Sequence, residues 1–329
     1  MKQDVFFRKC DGYSEIAVTI DGVLDRFNRL NDGFLTGAVF RGKITRVLKQ
    51  VGAFVDIGLE KEGLLPYLET YKTGDFVTVQ VMKEPTDTKG CALKDEITVP
   101  GRFVVLNDRK EMRFSKNLSE ETKQKVSTLQ TDERVGFIFR TSCEYADLGE
   151  ISAECVLLAK QYDSFMKDAE NSYEIKCLFA DTAENVARRT AMSDDALFTD
   201  FTPIEKQIRE LGARKIEKDG VELVFDKTEA MTVVDVNFHK YGKTFGNADQ
   251  TAYQANVIAL GELARQLRLR NVGGIIVVDF ISFHNKEYLT KLKDLLVSEL
   301  KKDALRTSVE LVKEAGLFVI VRKIRYSSL

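Results

Sequence analysis

An α+β multidomain fold is predicted for this chain, and three observations carry the prediction. Residues 37–100 show short apolar runs punctuated by glycine, at strand rather than helix spacing. Residues 220–329 alternate strand-like with helix-like runs, which implies a mixed α/β sheet domain. At 329 residues the chain is also longer than one hydrophobic core usually organises.

Composition narrows the class. With 44% hydrophobic and 30% charged residues and only four prolines, no part reads as disordered. No window approaches the roughly 18 to 20 consecutive apolar residues of a membrane span. The start, MKQDVFFRKCDGYSE, lacks the apolar core of a signal peptide, so a cytoplasmic location is expected. Cys10, Cys91, Cys143, Cys155 and Cys177 form an odd set without a CxxC pair, which suits reduced, core-filling thiols better than disulfides or structural zinc. A formal net charge of −2 does not announce a nucleic-acid binder, but basic residues gather at 265–270 and 322–325.

The elements follow in order. Residues 4–24 hold two apolar runs joined by a Cys-Asp-Gly turn signal, a hairpin. GAVFRGKITRVLKQVGAFVDIGLEKEGLLPYLE and then GDFVTVQVMKE give about five short strands, the requirement for a small closed barrel of the OB type. Residues 101–116 add two strands, SEETKQKVSTLQ opens a helix reaching Leu129, VGFIFRTS is a buried strand, and 148–167 carries a long helical pattern. Short, ambiguous segments fill 168–215. VELVFDKT, MTVVDVN, GGIIVVDF and LFVIVRKI are strands. A helix over 249–270 buries Val257, Leu260, Leu263 or Ala264, and Leu267, and ends at Asn271; a second buries Leu289, Leu292, Leu296 and Leu300.

The chemistry concentrates in the last third. Side chains alternate along VVDVN, so Asp235 and Asn237 share a face that Val234 and Val236 do not. Asp279 ends the run IIVVD in the same way. If strand, helix and strand form a crossover, both strands end at one edge of the sheet and both carboxylates meet there. Two such groups repel unless one protonates or a divalent cation neutralises them, and one or two carboxylates completed by water is how magnesium is usually held. An aspartate at a strand end also often caps a turn; the matched pair with an Asn two residues on favours the metal reading. Arg265, Arg268 and Arg270 sit near a helix C-terminus, which the dipole alone favours; part of the cluster is expected to reach a phosphate backbone. In the barrel, Phe40, Phe54 and Tyr67 with Arg41, Lys43 and Arg46 have the mixture that stacks bases and tracks phosphates, although aromatic strand residues are more often core, so at most one or two of the rings are expected to be exposed.

These residues resemble the ribonuclease E/G family of bacterial endoribonucleases. MTVVDVN followed by ELARQLRLRNVGGIIVVDFI resembles its catalytic signature, GKITRVLKQVGAFVDIGLEKEGLLP its embedded S1 domain, and LFVIVRKIRYSSL the end of its catalytic region. The resemblance implies an RNase H-like part (1–35 and a shortened 161–219) carrying an inserted S1 (OB-fold) barrel (36–100) and a 5′-sensor region (101–160). A DNase I-like mixed α/β catalytic domain (220–329) follows. It implies a magnesium-dependent endoribonuclease, with manganese as a substitute, that cleaves single-stranded RNA in processing or mRNA decay and leaves 5′-phosphate and 3′-hydroxyl ends. Asp235 and Asp279 are then the metal ligands and Asn237 the neighbour assisting at the scissile phosphate. Phe54 and Lys89 match S1-domain positions that hold single-stranded RNA; Arg265 and Arg268, read from the helix itself, are the part of the basic cluster expected to bind RNA beside them. Gly101, Val105, Arg140, Thr141 and Arg306 match the pocket that senses a 5′-monophosphate. A homodimer through the C-terminal domain is implied as well.

The chain departs from the family's pattern in places. Phe238, His239 and Lys240 follow DVN where the family continues Thr-Gly-Lys, which is expected to place bulk beside the metal. Ser282 replaces a supporting aspartate, and Leu64 replaces an RNA-stacking phenylalanine. His239 and His284 fall near the expected site and read as exposed side chains rather than catalytic ones. No cysteine pair follows residue 329, so no zinc-linked tetramer is expected. The alternative reading is a non-catalytic RNA-binding protein on the same scaffold.

Overall fold

In a computed structural model, which describes residues 2–66, 70–239, 246–303 and 305–323, the chain divides into two units. One comprises Gln3–Ser14 and Leu30–Thr199, the other Met1–Lys2, Glu15–Arg29 and Asp200–Leu329.

The first unit holds the expected barrel. Strands β1 (Val39–Leu48), β2 (Gly52–Asp56), β3 (Gly63–Leu65), β4 (Phe76–Lys83) and β5 (Ala92–Lys94) pair in the order β1-β2-β3-β5-β4, and β4 returns to β1 to close the ring. Ile44, Ala53, Val55, Leu65, Val79, Val81 and Leu93 fill it. Each large apolar side chain so buried contributes roughly 1.5–3 kcal/mol. Gly42 faces inward, where a Cβ would lie 2.6 Å from Val55 Cγ1, so only glycine lets β1 cross β2 this closely.

A smaller sheet follows, from β6 (Thr98–Pro100), β7 (Val104–Asn107), β8 (Arg113–Phe114) and β9 (Gly136–Phe139), in the order β8-β9-β7-β6. Helix α1 (Glu120–Ser127) starts at Ser119, whose hydroxyl accepts from the Thr122 amide. Helix α2 (Leu148–Glu170) starts on a capping box of Asp147 and Glu150 and buries Ile151, Cys155 and Leu158 against the sheet. The ambiguous region resolves into β10 (Lys176–Phe179), which pairs with β1, and a short helix at Ala183–Thr190. The N-terminal turn closes as expected, with the Cys10 amide donating to the Tyr13 carbonyl and Gly12 at φ +78°.

In the second unit, β11 (Lys215–Lys218), β12 (Val221–Lys227), β13 (Met231–Phe238), β14 (Gly274–Asp279), β15 (Thr307–Val312) and β16 (Leu317–Arg322) form a sheet ordered β11-β12-β13-β14-β16-β15. Only β13 and β14 run parallel, joined through helix α3 (Ala248–Leu269). Helix α4 (Lys286–Leu300) packs beside α3, and both cover the face bearing Val234, Val236, Ile276, Val278, Phe318 and Ile320. The apolar stripes of the two helices lie where their spacing predicts. Among the described residues no helix is long and apolar enough to cross a membrane.

Candidate active site

The parallel register sets Val233 opposite Val277, Val234 opposite Val278 and Asp235 opposite Asp279. Because Val234, Val236, Ile276 and Val278 turn into the core, Asp235, Asn237 and Asp279 take the opposite face, and both aspartates are exposed. Neighbouring strands lie about 4.8 Å apart, which brings two opposed carboxylates within reach of a single ion. The Asn237 side-chain Nδ2 donates to Asp235 Oδ2 at 2.7 Å, so the amide orients that carboxylate. Glu222 lies opposite Asn237, but its carboxylate is taken by Lys215 Nζ at 3.2 Å. Among the described residues no group of three or more His, Cys, Asp or Glu side chains is arranged to hold a metal. The donor set is therefore two hard carboxylates and an amide, which fits a magnesium-type ion that keeps most of its water and not a tightly caged metal.

Helix α3 also holds the chain leaving Asp279, through residues with no evident sequence signal. Asn256 is fully buried; its Nδ2 donates to the Ile281 carbonyl at 2.8 Å and its Oδ1 accepts from the Ile281 amide at 2.9 Å. Asp249 accepts from the His284 and Asn285 amides, and those bonds, His284 first, hold its carboxyl below the usual range.

Several expectations change here. Phe238 does not crowd the carboxylates: strand parity continues through it, so its ring packs against the core beneath the sheet. Lys240 lies outside the described residues. His239 and His284 are exposed, as expected: His239 Nε2 lies 3.7 Å from Glu222, and His284 sits fully exposed beside Asp249. Ser282 is exposed. Arg265 and Arg268 do not join the site. Arg265 is bonded to Glu262 at 2.6 Å and to the Leu24 carbonyl at 2.6 Å, and Arg268 reaches Asp25 at 2.5 Å. They sit more than four helical turns from the α3 N-terminus, which is the end near the carboxylates. Glu262 explains the choice of partner: burial penalises its charge, but bonds from Arg265 and Gln266 outweigh that and keep its carboxyl below the usual range.

On the barrel, Phe54 is half-buried, with the Arg46 guanidinium 4.1 Å from its ring centroid and the exposed Leu64 as its cross-strand partner. Phe40 is core, and Tyr67 lies outside the described residues. Lys89 is exposed in the turn between β4 and β5. A second aromatic pair went unread in the sequence: Tyr173, 81% exposed, meets Phe76 edge-on at 6.0 Å, and Arg41 and Lys43 each lie 5.7 Å from the Phe76 ring.

The residues expected to sense a 5′-phosphate divide. Arg140 Nη1 donates to the Gly101 carbonyl at 2.6 Å, and the Thr141 hydroxyl bonds Ser115 Oγ at 2.8 Å. Val105 is half-buried within β7, opposite Ile138 and Pro100, on the strand rather than in the loop 101–103 that carries Gly101. Arg306 is exposed just ahead of β15, in the other unit.

Against known proteins, residues 98–193 and 175–325 match the ribonuclease E/G family. Ribonuclease G of Escherichia coli is 29% identical over 359 residues, covering 88% of this chain and 73% of that protein. Ribonuclease G of Haemophilus influenzae is 28% identical, with 88% and 72% covered. Ribonuclease E of Escherichia coli is 26% identical over 351 residues, which span 87% of this chain but 33% of that protein. With most of its length matched, and the paired aspartates inside the matched part, the chain belongs to the ribonuclease E/G family.

Proposed function

We propose that this chain is an endoribonuclease that hydrolyses single-stranded RNA at a magnesium site held by Asp235 and Asp279, leaving 5′-phosphate and 3′-hydroxyl ends. One observation carries the reading: two exposed carboxylates are direct partners at the shared end of the two parallel strands. The named relatives, ribonuclease G and ribonuclease E, support the substrate class.

When bound, magnesium supplies charge neutralisation at the phosphodiester and an acidified water. The chain supplies the rest. Asp235 and Asp279 hold the ion at an open sheet edge, and Asn237 keeps the Asp235 carboxylate in one orientation through its 2.7 Å bond. Phe54 stacks a base on the barrel, with Arg46 and Lys89 along the backbone. Arg140 and Thr141 take a 5′-terminal phosphate, for which a guanidinium and a hydroxyl are suited donors. In this reading the barrel is an S1 domain, the carboxylate-bearing sheet is DNase I-like, and copies pair through that sheet's domain.

The test is incubation of labelled A/U-rich single-stranded RNA with magnesium or with chelator. Magnesium-dependent products bearing 5′-phosphates support the reading. RNA that stays intact in magnesium while remaining bound favours a non-catalytic RNA-binding protein, the reading that Ser282 in place of a third carboxylate suggests.

A further inference from the structure

The loop at residues 101–104 has both of its polar edges occupied by the chain itself. On one side, a single carboxylate takes three successive amides: Glu154 Oε1 accepts from Arg102 N at 2.7 Å, and Oε2 accepts from Phe103 N at 2.7 Å and Val104 N at 3.0 Å. On the other, the segment after β9 takes the carbonyls. Arg140 Nη1 donates to Gly101 O at 2.6 Å, Ser142 Oγ to Arg102 O at 2.6 Å, and the Arg140 amide to Phe103 O at 2.8 Å. Arg140 thus hangs on this loop by backbone and side chain, and the loop hangs on Glu154.

We propose that Glu154 is a positioning residue of the 5′-phosphate pocket: by filling the three-amide nest it fixes the loop from which the Arg140 guanidinium is aimed. This rests on the reading of Arg140 and Thr141 as that pocket. Two consequences follow. Three amides in a row make an anion site in their own right, but here the anion is Glu154, so an incoming phosphate meets Arg140 and Thr141 and not the nest. Gly101 is glycine for the same reason. A Cβ there would lie 2.5 Å from Glu154 Cδ and 2.6 Å from Oε2, so the residue is set by the carboxylate and not by the ligand.

The test compares dissociation constants of a 5′-monophosphorylated and a 5′-hydroxyl copy of one single-stranded oligonucleotide, by fluorescence anisotropy in chelator. Because both are measured on one preparation, a reduced folded fraction cancels from their ratio. Arg140→Ala is expected to reduce the preference for the phosphorylated copy about tenfold, and Glu154→Gln about fivefold, since the amide keeps one acceptor oxygen where the carboxylate had two. Gly101→Ala is expected to do comparable damage, and Gly101→Ala with Glu154→Ala no more than either alone, because the new Cβ enters the vacated space. If Glu154→Gln keeps the wild-type ratio while Arg140→Ala loses it, Glu154 only stabilises the fold and the proposal falls. If the wild type shows no preference, or Arg140→Ala leaves it unchanged, the pocket reading fails and the positioning role with it.

Discussion

Asp235 and Asp279 are direct partners across the two parallel strands, although they lie 44 positions apart in sequence (279 − 235). Two carboxylates so placed repel, and a shared divalent ion relieves that. Asp279→Asn, and equally Asp235→Asn, is expected to slow cleavage of single-stranded RNA by about 100-fold or more, because charge stabilisation of the reacting phosphate is lost. RNA affinity in chelator should stay the same or tighten slightly, one repelling charge being gone. Manganese titrated calorimetrically should bind the variant more weakly. A variant that cleaves at the wild-type rate rules out the site.

The Arg46 guanidinium lies over the Phe54 ring, 4.1 Å from its centroid, so a base that stacks on that face displaces the cation, which is then free to pair with the RNA backbone. Phe54→Ala is expected to weaken binding of a single-stranded oligonucleotide by about 1–3 kcal/mol. The slope of log affinity against log salt should not change, since a stacked ring releases no counterions. Arg46→Ala should lower that slope. If the two substitutions alter the slope alike, Phe54 acts through the fold and not through a base.

Much of this arrangement is legible in the sequence, and the failures have physical causes. The barrel shows because alternation and glycine punctuation are local signals, and the aspartate pair because parity and the crossover rule together fix its edge. β15, TSVELV, alternates apolar with polar residues, but over only six half-exposed positions and without glycine or proline directly at either end, so the signal is too brief to stand out. Arg268 misleads because its partner Asp25 lies 243 residues away, and charge without its partner reads as an open cation. Phe238 misleads because β13 runs one residue past Asn237, and that residue turns its ring into the core. Glu154 carries no signal at all: an acid in mid-helix reads as solvated until the amides 50 to 52 residues earlier are placed against it.

Asp108 gives a pH signature in the first unit. Its Oδ2 accepts from the Ile97 amide at 3.0 Å, while Oδ1 is buried and takes no hydrogen bond from a described residue. Burial raises its pKa, against the opposing pull of the Ile97 amide and Arg109. A carboxyl whose pKa is higher folded than unfolded binds its proton more tightly in the fold, so it adds stability as pH falls through that range and loses it as pH rises. The melting temperature of the wild type minus that of Asp108→Asn should therefore grow as pH is lowered from about 7 to about 4. A difference that is flat or shrinks contradicts the burial of that charge.

Asn256 makes the sharpest stability prediction near the carboxylates. Its amide answers both polar groups of Ile281, two residues beyond Asp279, from a position with no solvent exposure. Asn256→Leu keeps the bulk but strands an N–H and a C=O, each costing about 1–3 kcal/mol, so urea unfolding should show a loss of about 2–5 kcal/mol. Asn256→Asp separates the two bonds. The ionised carboxylate still accepts from the Ile281 amide but repels the Ile281 carbonyl, whereas the protonated acid can donate to it. Burial raises the pKa of such a group in the fold, so the variant should gain stability relative to wild type as pH falls. Cleavage activity of Asn256→Asp should recover along the same pH course if the Ile281 clamp also steadies Asp279. Activity that stays low while stability recovers would show that the clamp serves the fold alone.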